Sequence, residues 1–82
     1  MPIFETPTAD DVFRCDPPEG LDKYDLKKWL VGQAVTHGWT WRHASGFTCE
    51  LRRRGLVVFL VMVPGGLILR CHGRERVFQT EM

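Results

Sequence analysis

Eight consecutive apolar residues, Leu56 through Val63, stand between Gly55 and Pro64-Gly65-Gly66. The run is rich in β-branched side chains and suits a strand apolar on both faces or a helix segment, and its short length between glycine-containing breaks favours the strand. The uncharged stretch around it, residues 55–69, is shorter than the ~20 residues a spanning helix needs. Its two alternate rows are Leu56, Val58, Leu60 and Met62 on one side, and Val57, Phe59, Val61 and Val63 on the other. One helix covers one face of a small sheet. The second row therefore needs a cover of its own: the N-terminal arm through Ile3, Phe4, Val12 and Phe13, a second copy of the chain, or a different partner.

The flanking segments supply the sheet. Residues 39–43 alternate in polarity and read as a strand, and Ala44-Ser45-Gly46 reads as a turn. Phe47, Cys49 and Leu51 alternate with Thr48, Glu50 and Arg52, which marks a half-buried strand ending at the turn Arg53-Arg54-Gly55. Residues 67–72 form a further strand. Gly73 breaks it, and residues 74–79 either continue it after a bulge or make a last strand. Connections this short imply antiparallel pairing.

Upstream, one helix is expected over residues 22–37. Asp22 is its N-cap, Asp25 stands three residues on, and Leu21 with Leu26 forms a hydrophobic staple. Leu26, Trp29, Leu30, Gln33, Ala34 and His37 share one helical face, and Lys23, Lys27 and Lys28 lie off it. Gly38 fits a left-handed C-terminal position. Gly32 weakens the helix interior by about 1 kcal/mol relative to Ala and marks a candidate close crossing with the sheet. Residues 1–7 read as an extended arm. Thr8 is a candidate N-cap for a short turn through Val12 and Phe13, which Pro17-Pro18 stops. The predicted class is α+β: a single domain over 1–82, with an irregular acidic arm (1–20), one amphipathic helix (21–38) and an antiparallel meander of three to five strands (39–82).

A chain of 82 residues is too short for a TIM barrel, a full dinucleotide-binding domain or a kinase. Its formal net charge of +1 conceals a division. Residues 1–25 carry seven acids against two bases, a net of −5, and residues 26–82 carry nine bases against three acids, a net of +6. Such a split suits either an acidic arm folded onto a basic body or contact with a charged partner. The three cysteines are odd in number and form no CxxC pair. No apolar leader precedes the acids, so reduced thiols in the cytoplasm are expected.

Catalytic signals are sparse. Cys71 and His72 are neighbours on a strand and point to opposite faces, so they cannot act on each other. Cys49 and Cys71 suit a shared interior as small hydrophobes. A zinc site from Cys49, Cys71, His43 and His72 lacks the usual paired spacing, and Pro64-Gly65-Gly66 lacks the Lys-Ser/Thr and helix of a phosphate loop. The layout of helix, Gly38-Trp39 and strand through Gly46 resembles HicA-type ribonuclease toxins, which use a double-stranded-RNA-binding-like fold. Their histidine directly follows the glycine of a Gly-Ser-His segment. Here Phe47 and Thr48 follow Gly46, so the likeness omits the catalytic residue. No catalytic residue, metal or cofactor is expected.

Eight of the eleven bases are arginine, which favours bidentate contacts with carboxylate or phosphate. Arg52, Arg53, Arg54, Arg70, Arg74 and Arg76, with whichever of Trp39, Trp41 and Phe59 are exposed, form the expected partner-binding set. These features predict a non-enzymatic protein-binding module, a small inhibitor or adaptor of mobile-element type acting on a larger complex, such as a nucleic-acid-handling or host-defence assembly. Self-association is a further option and a membrane is not expected. The alternative is a nucleic-acid-binding domain that uses the arginine-rich sheet edge, with aromatic faces for stacking.

Overall fold

The computed structural model describes residues 9–80. Two helices, α1 (Asp10–Phe13) and α2 (Lys23–Thr36), precede β1 (Thr40–Ser45), β2 (Thr48–Arg53), β3 (Leu56–Val63), β4 (Gly66–Cys71) and β5 (Arg74–Gln79). The strands form one open antiparallel sheet in sequence order, β1-β2-β3-β4-β5, with the main helix packed on one face. This is the expected α+β architecture.

Asp22 starts α2 as the sequence predicts. Its backbone is extended, and its carboxylate accepts the Asp25 N–H at 2.8 Å. Gly38, at φ +90°, turns the chain out of the helix, and the Trp39 N–H still reaches the Ala34 carbonyl at 2.9 Å. That exit tucks Trp39 into the core. Leu26, Leu30 and Ala34 are the fully inward members of the helical stripe, while His37 remains exposed. Gly32 does not mark a close crossing. A methyl there meets nothing within 4 Å, because Gly32 lies on the solvent side of α2.

Chain reversals fix which side chains share a face. Arg54-Gly55 (φ +51° and +82°) and His72-Gly73 (φ +48° and +81°) are two-residue hairpin loops with both residues left-handed. This geometry matches the right-handed strand twist. Residues 74–79 are thus a separate fifth strand, with Arg74 directly opposite Cys71, rather than an extension past a bulge. The irregularity lies in β1 instead. The register there shifts between His43 and Ser45, leaving Ala44 as the extra residue. Gly66 opens β4 opposite Gln79. A methyl on it would overlap the Phe78 carbonyl oxygen and stand 3.1 Å from the Phe78 carbonyl carbon.

Leu56, Val58, Leu60 and Met62 turn out to be the helix-facing row of β3. With Leu51, Leu67, Leu69 and Phe78 they build the core beneath α2. Val12 and Phe13 join the same core, at 1% and 4% exposure. The arm therefore packs on the helix side and does not cover the second row through these two residues. Ile3, Phe4 and Thr8 lie outside the described residues. The N-cap of α1 is Ala9, with no side-chain bond. Among the described residues no helix is long and apolar enough to cross a membrane.

Candidate protein-binding surface

The face of the sheet opposite α2 carries Val57, Phe59, Val61 and Val63 from β3, Ile68 from β4 and Val77 from β5. Phe59 is 41% and Val77 53% exposed. No described residue from the arm or helix packs over them.

Pairing sets a single row across all five strands. Arg42 lies opposite Glu50, Glu50 opposite Phe59, Phe59 opposite Arg70, and Arg70 opposite Glu75. Phe59 thus sits between two ion pairs. On one side the Arg42 guanidinium is 3.7 Å from the Glu50 carboxylate, which also accepts from Arg52 Nε at 2.9 Å. On the other, Arg70 Nε donates to Glu75 at 2.8 Å. Glu50 is only 8% exposed, and these two guanidinium groups pair its carboxylate. Beside Phe59 a shallow depression of about 270 Å³ opens between Val57, Arg70, His72 and Glu75.

The nine predicted contact residues divide into separate groups. Arg52, Phe59 and Arg70 share the open face. Arg54 occupies a hairpin loop at the sheet's end. Trp41, half-exposed, lies opposite Leu51 and therefore on the helix side of the edge strand. The other four hold the fold together. Trp39 is 2% exposed, so it offers no anchor to a partner, and the Arg53 guanidinium stacks 5.0 Å above its ring while donating to the His37 carbonyl at 2.8 Å. Arg74 donates to Asp10 Oδ1 at 2.8 Å and stacks on Phe13, while Arg76 donates to the Phe13 and Cys15 carbonyls and stacks on Phe78. The hydrogen bond from Arg74 holds the Asp10 carboxyl below its ordinary range, against a smaller opposing effect of burial. At this point the acidic arm does fold onto the basic body.

Arg42, Glu50, Glu75, Ile68 and Val77 belong to the open face although sequence reasoning did not place them there. Their shared parity is readable only once the loops are taken as two residues long and the extra residue at Ala44 is known.

Nucleophilic chemistry finds little support. Burial pushes the Cys71 thiol up, which disfavours the thiolate. Cys49 stands opposite His43 in register, but it is 2% exposed and packs as an apolar residue. Strand β3 runs between Cys49 and Cys71, so about 10 Å separates their strands, beyond disulfide reach. Among the described residues no group of three His, Cys, Asp or Glu side chains is placed to hold a metal ion. Comparisons with protein families, curated proteins and solved structures find no match to this chain.

Proposed function

We propose that this chain is a non-enzymatic protein-binding module, a small inhibitor or adaptor for a larger assembly, and that it binds through the open face of its sheet. One observation carries the proposal: an exposed aromatic, Phe59, flanked by Val57, Val61, Ile68 and Val77 and bordered by guanidinium–carboxylate pairs. An apolar centre with an arginine-rich polar rim is the composition of an interface core. A nucleic-acid groove would need cations free to meet phosphate. Here Arg42, Arg52, Arg70 and Arg74 already face carboxylates, and Arg53 and Arg76 hold backbone carbonyls.

The test is affinity capture from a host lysate, with and without nuclease, by the wild-type chain and by Phe59→Glu. Phe59 lies outside the core, so the variant should melt like the wild type. Protein recovered after nuclease by the wild type but not by Phe59→Glu is the expected result. Recovery of nucleic acid, or of proteins that nuclease removes, would overturn the proposal and point to the arginines as a phosphate site.

A further inference from the structure

The charge order across the open face, from β1 to β5, is Arg42 (+), Glu50 (−), Phe59, Arg70 (+), Glu75 (−). Read backwards, the order is −, +, Phe, −, +. The row is its own electrostatic complement. We propose that a second copy of this chain covers the face, related by a two-fold axis that runs parallel to β3 and passes over Phe59. This rests on the open face being the protein-binding surface and names its partner.

Under that operation β1 lies over the partner's β5, β2 over its β4, and β3 over its own equivalent. Arg42 then meets Glu75 of the second copy, Glu50 meets its Arg70, and the two Phe59 rings meet on the axis. In the neighbouring row Val61 faces its equivalent, while Ile68 meets Thr48 and Val77 meets Ser45 of the second copy. The strands of the two copies run in the same direction. That is compatible with aligned sheet packing, about 10 Å apart at about −30°.

The pattern selects this arrangement against its neighbours. A two-fold axis along the row would set Arg42 over Arg42, Glu50 over Glu50, Arg70 over Arg70 and Glu75 over Glu75. A slip of one strand either way brings Arg42 over Arg70 or Glu50 over Glu75. Like charges oppose in every one of these, so the charges set register while the apolar centre supplies attraction. An isologous contact of this kind closes on itself and does not propagate.

Size sets the strength. Five strands at about 4.8 Å spacing and six residues at about 3.3 Å rise give a plan area of roughly 480 Å² per copy. A standard interface buries about 800 Å² per partner. The dimer is therefore weak and concentration-dependent, open to displacement by a larger partner on the same face.

The experiment is sedimentation equilibrium of the full chain over a concentration series, for the wild type and for the double variant Arg70→Glu/Glu75→Arg. This swap keeps net charge, composition and the ion pair within the chain, and leaves Glu50 untouched. It changes the row to +, −, Phe, −, +, so that like charges face at all four positions. The expected result is a wild-type mass rising from 9.5 kDa towards twice that value, with the swap staying at one chain mass and an unchanged melting temperature. If the swap unfolds the chain, Phe59→Glu takes its place, since it sets two carboxylates on the axis. A wild type of one chain mass at the highest concentration overturns the dimer, as does a dimer that folded Arg70→Glu/Glu75→Arg and Phe59→Glu both retain. Neither outcome touches the wider protein-binding proposal, which the capture experiment judges separately.

Discussion

Replacing Gly66 with alanine adds one methyl group directly against the backbone of β5. The new carbon would overlap the Phe78 carbonyl oxygen and lie 3.1 Å and 3.3 Å from the Phe78 carbonyl carbon and the Gln79 Cα. All three are backbone atoms, so no side chain can rotate aside. The strands must part by about 1 Å or more, since ordinary carbon contacts lie near 3.5–4.0 Å. Parting them weakens the Gly66–Gln79 pairing and the 2.8 Å bond from Thr80 N–H to the Gly65 carbonyl. It also lifts Phe78, now 8% exposed, from the core. Two backbone hydrogen bonds at about 1 kcal/mol each, with an overpacking cost of about 1–3 kcal/mol, give roughly 3–5 kcal/mol. Reduced freedom of the unfolded chain offsets about 0.4–1 kcal/mol of this. For 82 residues the whole stability is about 4–12 kcal/mol, so the loss is a large share. At about 4–8 °C per kcal/mol, the melting temperature by circular dichroism should fall by roughly 10–30 °C. Gly65→Ala is the reference. Its φ of +85° strains an alanine, yet nothing lies within 4 Å, so its cost should stay near 1–2 kcal/mol. Gly66→Ala melting no lower than Gly65→Ala would refute the close-approach reasoning.

Gly32→Ala should act in the opposite direction. It lies on the solvent side of α2 with free space for a methyl, so the helix should gain about 1 kcal/mol, read as a higher urea midpoint. The Asp10–Arg74 link should carry an acid signature. A carboxyl held below its ordinary pKa stabilises the fold above that ordinary value, near 3.9, and stops doing so as pH falls through the lowered one. The urea midpoints of wild type and Asp10→Asn should therefore differ at neutral pH and converge in the acid range. A gap of the same size at about pH 2 would show that the link acts through shape rather than charge.

Much of the fold was legible because local chemistry dictates it. Asp22 with Asp25 sets the start of α2, Gly38 sets its end, and the length of the apolar run between its glycine-containing breaks favours a strand over a helix segment. The orientation of that run is encoded less directly. Cys49 and Leu51 must face inwards, and a two-residue loop at Arg54-Gly55 carries their parity through Arg53 and Leu56 to Val58. The two loops open on Arg54 and His72 rather than Asn or Asp, so these hairpins lack the Asn-Gly signature that announces them. The site was less legible for a related reason. A run of arginines reads as one charged patch, but alternation sends Arg52 to the open face and Arg53 to the helix side. Trp39 was the plainest case: Gly38 marks the helix exit locally, but the burial of the next side chain depends on where that exit delivers it against the sheet, a tertiary fact.

The strictly sequential strand order bears on how the chain reaches its native state. Each strand pairs only with its neighbour in sequence, so the sheet can zip together hairpin by hairpin with little loop-closure entropy. The arm is different. Its ties run from Asp10, Phe13 and Cys15 to Arg74 and Arg76, across separations of 61 to 64 residues. Those contacts must wait for the last strand to form, so they are expected to close late, although Val12 and Phe13 also bury the segment in the core. Its amides should exchange with solvent sooner than those of β3, leaving a sheet that outlasts its own N-terminal clasp.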